Sequence, residues 1–367
     1  MPIPFNQPGR NVQRHRPIIA QAVEQTLASG YYILGPAVEA FEQAFAAFCQ
    51  SAHCIGVASG TDALVLALRA LDLGPQAEVI TAANAGGYAS GACFRVGATP
   101  VYADVDPLTL LLDPVQAEAA ISAATRAIII THLYGNMADM TAFRALAERY
   151  QLALIEDCSQ AHGASRADRP AGSWGDIGIF SFYPTKNLAA LGDGGALVCQ
   201  DSALAATLRE LRQYGWQEKY TVQRPFGINS RLDALQAAIL SAKLPYLEAD
   251  NTRRRELAER YQAALADTPA SLVRQTGPAY VAHLAVLRYA QRDRLRSALQ
   301  AAGIGTDIHY PVLDCDQPGW QALPWRALPL PISRQACAQV LSLPLYPELR
   351  DTEITQICEV LQHTLTV

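Results

Sequence analysis

The sequence predicts an α/β fold in which a mainly parallel, seven-stranded sheet is covered by helices on both faces. Seven short apolar runs are typical of strands buried on both faces, and helical patterns lie between several of them. The 367 residues, half of them hydrophobic, are enough for a large core and two domains. A change in the order of elements after residue 248 predicts a smaller α+β domain at the C-terminal end.

The predicted large domain, residues 1–248, begins with two amphipathic helices, Pro17–Ala28 and Val38–Phe48. The strand-like runs are Cys54–Ala58, Val79–Ala82, Pro100–Val105, Ala127–Thr131, Leu152–Glu156, Ile177–Phe182 and Ala196–Cys199. The helical patterns between them include Ala63–Leu71, Ala117–Ala124 and Met140–Tyr150. A last helix, Asn229–Glu248, carries an apolar stripe and has Pro245 near its end.

The predicted small domain, residues 249–367, starts at a charged stretch, Asp250–Glu259. Its expected elements follow from apolar runs and from Gly303, which is placed to end a helix. They are a strand at Val281–Tyr289, a helix at Asp293–Ala302, a strand at Ile304–Tyr310 and a helix at Thr352–Leu365.

Composition argues against several classes of protein. The net charge is −5 and acids and bases are mixed along the chain, so no basic stripe indicates binding to nucleic acid or to an anionic membrane. The eight cysteines form no C-x-x-C pair, which is typical of reduced thiols in a cytoplasmic protein. Because the N-terminus lacks a signal-peptide pattern and no stretch is apolar for long enough to span a bilayer, we expect a cytoplasmic enzyme.

Lys186 is the first candidate for chemistry. It lies in FSFYPTKNLAALGDGGA, between a predicted strand and a glycine-rich turn. A lysine that points into a cavity is a candidate Schiff-base nucleophile, because desolvation lowers its pKa. On this segment alone, a solvated loop lysine is an equal alternative. Ser181, five residues earlier, is a candidate phosphate ligand.

Three further segments follow predicted strands, and ligands of open α/β sheets bind at the carboxyl ends of strands. In the first, Gly60 and Thr61 begin a helix whose N-terminus can bind an anion, although an ordinary N-cap at Ser59 or Thr61 gives the same pattern. In the second, Tyr88 follows a Gly-Gly pair. Its ring can stack on a planar ligand, and a core tyrosine is the alternative.

The third segment, IEDCSQAHGA, brings Glu156 and Asp157 to the end of a strand, where a carboxylate can hold a protonated ring nitrogen. Gln160 and His162 add polar groups. A metal site is the competing interpretation, which no second cluster of histidine and aspartate supports. A phosphate cradle, a stacking aromatic ring, an acid and a Schiff-base lysine are together the partners that pyridoxal phosphate requires.

Four motifs carry a resemblance to a known family: SGTDAL, EDCSQAHGA, SFYPTKNLAALGDGGA and GINSRLDALQAAIL. They resemble the DegT-type (DegT/DnrJ/StrS) nucleotide-sugar aminotransferases, which are fold-type-I pyridoxal 5'-phosphate enzymes of the aspartate aminotransferase superfamily. The resemblance implies that Lys186 forms the Schiff base, that Asp157 binds the pyridine nitrogen and that Gln160 lies near the ring hydroxyl. It also implies a homodimer with shared active sites. Its phosphate ligands would be Gly60, Thr61, Ser181 and Asn229 of the partner subunit.

Substrate contacts are implied more weakly. His309 and Tyr310, in TDIHYPV, resemble the small-domain segment that meets the nucleotide sugar. Tyr183, Lys219, Tyr220 and Arg231 are further candidates, with an exposed loop or a structural salt bridge as the alternative. After HYP, the residues from Val312 to Pro318 replace a proline and a histidine of many members. ANAGGYAS likewise replaces a Thr-aromatic pair. Contacts of residues 312–320 are therefore not carried over.

The implied reaction transfers an amino group from L-glutamate, through pyridoxamine 5'-phosphate, to a keto group of a nucleotide-linked 6-deoxyhexose in amino-sugar biosynthesis. We expect dTDP as the nucleotide and C3 as the position, because the HYP segment is more similar to enzymes that aminate C3. The alternatives are amination at C4 and a non-catalytic regulatory protein that binds pyridoxal phosphate. Related sugar dehydratases have histidine where this chain has Lys186, which argues against dehydration. The histidines at 15, 53, 132, 283 and 363 are expected to pack or to face solvent.

Overall fold

The structure, a computed structural model, describes residues 2–366. The helices are α1 (Pro8–Arg14), α2 (Arg16–Ser29), α3 (Pro36–Phe48), α4 (Gly60–Ala70), α5 (Tyr88–Val96), α6 (Pro114–Ala120), α7 (Met140–Tyr150), α8 (Ser202–Leu211), α9 (Ala234–Lys243), α10 (Leu247–Ala264), α11 (Arg292–Ala301), α12 (Pro331–Gln339) and α13 (Asp351–Thr366). The strands are β1 (His53–Val57), β2 (Glu78–Ala82), β3 (Thr99–Ala103), β4 (Thr125–Thr131), β5 (Ala153–Asp157), β6 (Ser165–Arg166), β7 (Arg169–Pro170), β8 (Ile177–Ser181), β9 (Gly195–Cys199), β10 (Trp216–Glu218), β11 (Thr221–Val222), β12 (Ser271–Leu272), β13 (Ala285–Arg288), β14 (Arg326–Ala327) and β15 (Val340–Leu343). Short 3-10 helices lie at Leu133–Gly135, Leu244–Tyr246, Gly277–Ala279, Asp314–Asp316 and Pro318–Trp320.

The main sheet has eight strands in the order β1-β9-β8-β5-β4-β2-β3-β14. Strand β9 is antiparallel to both of its neighbours, and the other pairings are parallel. All seven predicted runs form strands of this sheet, so the predicted fold class is confirmed. The eighth strand, β14, was not predicted, because its two residues are too short to give an apolar run.

The long apolar runs are explained by burial on both faces of the sheet. Successive strand residues point to opposite faces, and here each face has its own core. Ile128 and Leu154 belong to the core on one side, and Ile129 and Ile155 belong to the core on the other. Helices therefore cover both faces, as expected for a parallel sheet.

The predicted helix Asn229–Glu248 is wrong at both ends. Helix α9 begins only at Ala234, because the preceding residues are extended and pair with other segments: Ser230 N donates to Arg212 O, and Ala234 N donates to Tyr32 O. Pro245 lies in a 3-10 turn between α9 and α10, where its missing N–H is tolerated. Helix α10 then continues to residue 264.

A separate core packs α10, α11 and α13 against an antiparallel sheet of β12, β13 and β15. The predicted strand Ile304–Tyr310 is wrong. Ile304 bridges to Ile3 and Asp307 bridges to Ser342, so the start and the middle of the run have different partners and no ladder forms. The strand that completes the small sheet is β15, which was not predicted. Among residues 2–366, no helix is both long and apolar enough to cross a membrane.

Candidate active site

A cavity of about 500 Å³ opens at the carboxyl ends of β1, β5 and β8. Most of the predicted site residues line it. They are the cofactor candidates Gly60, Thr61, Tyr88, Asp157, Gln160, Ser181 and Lys186, and the substrate candidates Tyr183, His309 and Tyr310. The fold thus brings together side chains that lie up to 250 residues apart in the sequence.

One end of the cavity is built to bind an anion. The hydroxyl of Ser59 accepts a hydrogen bond from Asp62 N at 3.0 Å, so Ser59 is the N-cap of α4 and Thr61 lies in its first turn. A Cβ at Gly60 would lie 2.7 Å from Ser181 Cβ, so only glycine lets the helix start approach Ser181 this closely. The free N–H groups of the helix start and the hydroxyls of Thr61 and Ser181 can therefore converge on one phosphate.

The two acidic residues at the end of β5 have different surroundings. Asp157 lines the cavity, and its Oδ1 accepts a hydrogen bond from Ser159 N at 3.1 Å. Glu156 points to the opposite face and is fully buried. Asp157 is therefore the carboxylate that can reach a ligand in the cavity.

Glu156 is saturated with protein donors. Its carboxylate accepts hydrogen bonds from His132 Nε2 at 3.0 Å and from the backbone N–H groups of residues 172, 174 and 175 at 3.0, 2.7 and 2.7 Å. Ligand atoms of His132, Glu156 and Cys158 lie within 4.8 Å of one another, as in a metal site. However, the other ring nitrogen of His132 accepts from Ala138 N at 3.2 Å. The lone pairs are thus used inside the protein, and this cluster supports the strand that carries Asp157.

Lys186 lies in the loop that follows β8. A turn with Lys186 N donating to Tyr183 O at 2.8 Å fixes the backbone, and the side chain lines the cavity and is half-buried. Desolvation lowers the pKa of Lys186 to about 8, although the nearby Asp157 carboxylate acts in the opposite direction. A larger fraction of the amine is therefore unprotonated near physiological pH than for an ordinary lysine, as a nucleophile and proton carrier requires.

Two tyrosines border the cavity above the Gly-Gly turn. A Cβ at Gly86 would lie 2.8 Å from the ring of Tyr310, and Gly86 has a φ of +81°, so this close approach requires glycine. Gln160 Nε2 donates to the Tyr310 hydroxyl at 3.1 Å, while Gln160 Oε1 accepts from Tyr134 N at 2.7 Å. The ring of Tyr88 is half-exposed, 6.4 Å from that of Tyr310.

Residues 312–320, whose contacts the resemblance does not carry over, pack on α5. Asp314 is buried and accepts a hydrogen bond from Ser90 in α5. The ring of Trp320 packs on Phe94 in the same helix, with centroids 5.3 Å apart. Burial raises the pKa of Asp314 to about 7. These contacts hold the segment after Tyr310 against the helix that begins at Tyr88.

Two histidines have surroundings that the sequence does not indicate. His283 is almost fully buried in the cavity wall, and its Nδ1 lies 3.0 Å from Asn187 Oδ1. No sequence pattern indicates this position in the cavity wall, because a single histidine ahead of a strand is common in packed cores. His162, expected among the polar groups of the site, packs instead on Phe180 and Phe182, and burial lowers its pKa to about 3.

Four predicted residues lie outside the cavity lining of the protomer. Asn229 is exposed at the start of the segment before α9. Lys219 and Tyr220 lie in the exposed β10–β11 hairpin, with the lysine 5.0 Å above the tyrosine ring. Arg231 lies over the ring of Tyr214 at 5.7 Å. None of these four reaches the site from within the same chain.

The donor set in the cavity fits pyridoxal phosphate. The start of α4 with Thr61 and Ser181 can take a dianionic phosphate, Asp157 can take a protonated ring nitrogen, and Lys186 can take an aldehyde. Gly60 lets Ser181 approach the start of α4, and Gly86 lets the ring of Tyr310 approach the turn before Tyr88, so these glycines bring side chains of the site together. This match rests on different strands and loops, so it does not depend on one motif.

Comparison with known proteins gives the same result over the whole chain. Residues 14–362 match the profile of the DegT/DnrJ/EryC1/StrS aminotransferase family. The chain is 44% identical over 351 residues to the erythromycin biosynthesis sensory transduction protein EryC1 of Saccharopolyspora erythraea, covering 95% of this chain and 96% of the relative. It is 43% identical over 340 residues to the dTDP-3-amino-3,4,6-trideoxy-alpha-D-glucose transaminase of Streptomyces venezuelae, covering 92% and 89%.

Solved structures are similar over nearly the same length. The crystal structure of S. venezuelae DesV in complex with a ketimine intermediate has a TM-score of 0.95 and 41% identity, and covers 99% of this chain and 98% of that one. The structure of ntda from Bacillus subtilis with bound cofactor PMP has a TM-score of 0.92 and 31% identity, and covers 100% and 86%.

Proposed function

Since the chain belongs to the DegT/DnrJ/EryC1/StrS aminotransferase family, we propose that it transfers an amino group from L-glutamate to C3 of a dTDP-linked 3-keto-6-deoxyhexose. Its cofactor is pyridoxal 5'-phosphate. The observation that carries the proposal is the convergence of Lys186, Asp157 and the anion site at Gly60 on one cavity. The named activity of the S. venezuelae relative, a dTDP-3-amino sugar transaminase, supports the substrate class and the position.

The residues of the cavity have separable tasks in this reaction. When bound, the cofactor supplies an electrophilic carbon for the amino group and a ring that accepts electrons from the bond that breaks. The start of α4, with Thr61 and Ser181, anchors the phosphate. Asp157 keeps a proton on the ring nitrogen through a charge-assisted hydrogen bond.

Lys186 is the proton carrier. A free amine with a pKa of about 8 can accept a proton from the donor substrate at neutral pH and return it to a neighbouring carbon as the ammonium. The pKa is set mainly by desolvation, so entry of bulk water would raise it. Residues that shield the cavity from water, including Tyr183 and Tyr310, therefore also help to keep the pKa of Lys186 low.

An incubation with a substrate panel tests the sugar assignment. The purified holoenzyme is given L-glutamate and each of the 3-keto and 4-keto forms of dTDP- and UDP-linked 6-deoxyhexoses, and NMR locates the new amine. We expect amination of the dTDP-linked 3-keto sugar, at C3. Amination only at C4, or only of a free aldehyde or keto acid, would overturn the sugar assignment and leave the cofactor assignment intact.

The name of the S. erythraea relative, a sensory transduction protein, favours a regulator as the second candidate. A regulator that binds the cofactor needs the phosphate site and Lys186, but it does not convert L-glutamate. Addition of L-glutamate to the holoenzyme separates the two functions. A catalyst loses the visible absorbance of the Schiff base, whereas a regulator keeps it.

The active unit in this proposal is a homodimer. An apolar groove runs along α2, α3 and α9, where its lining includes Ala22, Ala37 and Ala238. At its edge, Tyr31 is 60% exposed and Tyr32 is 50% exposed. A second copy of the chain that covered this surface would explain the exposed aromatic rings and would provide a phosphate ligand from Asn229 of the partner subunit.

Complementation between two inactive variants tests the shared site. Lys186→Ala removes the proton carrier, and Asn229→Asp places a negative charge against the phosphate in the neighbouring site. After mixed refolding, half of the dimers contain one intact site, so we expect about a quarter of the wild-type activity to return. Sites confined to one subunit would give no recovery on mixing, and a monomer in sedimentation analysis would contradict the dimer itself.

A further inference from the structure

The side chain of Asn187, the residue after Lys186, makes three hydrogen bonds. Asn187 Nδ2 donates to Val281 O at 2.9 Å and to Asn251 Oδ1 at 2.8 Å, and Asn187 Oδ1 lies 3.0 Å from His283 Nδ1. Because a backbone carbonyl can only accept, the nitrogen end of Asn187 must face Val281. The oxygen end of the amide therefore faces His283.

This arrangement fixes the tautomer of His283. An amide oxygen only accepts, so His283 Nδ1 must carry the proton. Burial, with the nearby positive charge of Lys186 as the next cause, holds the pKa of His283 well below its usual value, so the ring is neutral. In a neutral ring with a proton on Nδ1, the other nitrogen, Nε2, has a free lone pair.

That lone pair is available at the wall of the active-site cavity. His283 lines the same cavity as Lys186, and none of residues 2–366 forms a hydrogen bond with its Nε2. Two other side chains that line the cavity have an acceptor atom engaged within the protein. Gln160 Oε1 accepts from Tyr134 N, and His309 Nδ1 pairs with Ser342 Oγ at 2.9 Å. Asp157 is assigned to the ring nitrogen of the cofactor.

A lysine amine needs such an acceptor when it is not bound to the cofactor. An ammonium group has three N–H donors and no acceptor, and each donor that is shielded from water needs a partner in the protein. His283 is hydrogen bonded to Asn187, the residue that follows Lys186. The imidazole and the lysine backbone therefore keep a fixed position relative to each other.

We propose that His283 is a positioning residue for Lys186, whose amine donates a hydrogen bond to His283 Nε2 while the cofactor is bound in its pyridoxamine form. The role rests on the proposed function, because a lysine that never leaves the cofactor needs no such partner. The imidazole stays neutral throughout. It holds the amine in place for proton transfer and favours its ammonium form.

Two substitutions of His283 test the roles of its two ring nitrogens separately. His283→Asn keeps a donor near the position of Nδ1, for Asn187, and removes the acceptor that faces the cavity. His283→Gln places an amide oxygen near the position of Nε2 and removes the bond to Asn187. A purely structural histidine would tolerate the first change better than the second. A positioning histidine would show the opposite order.

The pKa of Lys186 can be measured directly, because the chain has only three lysines, Lys186, Lys219 and Lys243. Enzyme labelled with 13C at lysine Cε and loaded directly with pyridoxamine phosphate is titrated by NMR, with lysine-to-arginine variants for assignment. In His283→Asn we expect the pKa of Lys186 to fall by about one unit and kcat to fall by about tenfold. KM for L-glutamate and the melting temperature should change little, and the Lys243 resonance is the internal control.

His283→Gln should restore the pKa of Lys186 and most of kcat but lower the melting temperature. A wild-type pKa of Lys186 in His283→Asn, together with impaired His283→Gln, would overturn the positioning role. Because the labelled enzyme is loaded without turnover, a wrong sugar assignment would leave the NMR result unaffected. A chain that bound no cofactor would overturn the proposed function and this role together.

Discussion

Lys186→Ala is expected to abolish transamination while the protein remains folded. The variant loses both the Schiff-base nucleophile and the proton carrier, so turnover with L-glutamate should fall by roughly 10⁴-fold or more. The fold should not suffer, because the native site already disfavours the ammonium form by desolvation, which lowers the pKa of Lys186 to about 8. Steady-state kinetics and a melting curve on the same preparation check both expectations.

Lys243 provides a matched control for this substitution. It is also buried, and burial lowers its pKa to about 8, yet its ammonium group donates to Ala189 O at 2.7 Å and it does not line the cavity. Lys243→Met should lower the melting temperature and retain turnover. Near-normal transamination by Lys186→Ala, or an equal loss of activity in both variants, would show that the lowered pKa alone had been mistaken for a catalytic role.

The parts of the site that the sequence predicted are those specified by local chemistry. The turn at Gly60, the acid at Asp157 and the lysine at 186 each lie at the carboxyl end of an apolar strand or within five residues of it. Parallel strands bring such ends to one edge of the sheet, so the convergence of these residues follows from the strand pattern alone. The identification of Ser59 as the N-cap resolves a choice that the sequence left open.

The parts that were not predicted depend on contacts between distant segments. His283 enters the cavity wall only because the start of β13 lies beside Asn187, 96 residues earlier. Asp314 reaches Ser90 across 224 residues, and nothing in the loop sequence indicates that docking. The predicted strand at Ile304–Tyr310 has the right composition, but its start and its middle form isolated bridges with Ile3 and Ser342 in different parts of the chain. Periodicity reports burial, and it does not report which segment provides the partner.

Asp157→Asn is expected to cripple catalysis with little effect on stability. The amide keeps an oxygen for Ser159 N, which donates to Asp157 Oδ1 at 3.1 Å, so the local structure should persist. The negative charge is lost, however, and a neutral amide does not keep a proton on the ring nitrogen. We expect kcat to fall by about 10²–10³-fold, as for other groups that stabilise charge in the reacting state. The half-reaction with L-glutamate, followed by absorbance, measures the loss.

The adjacent Glu156 provides a matched control. The same change from carboxylate to amide at this position is expected to lower stability and to leave catalysis by the folded protein in place. Glu156 accepts from His132 and from three backbone N–H groups behind the cavity. Glu156→Gln replaces one acceptor oxygen with an NH₂ group that faces these donors, which should cost about 2–4 kcal/mol of stability, because buried donors lose their partner. The folded fraction should still react with L-glutamate. If Asp157→Asn instead lowered the melting temperature and kept its rate, while Glu156→Gln stopped the half-reaction in folded protein, the ring nitrogen would have to be assigned to the other carboxylate.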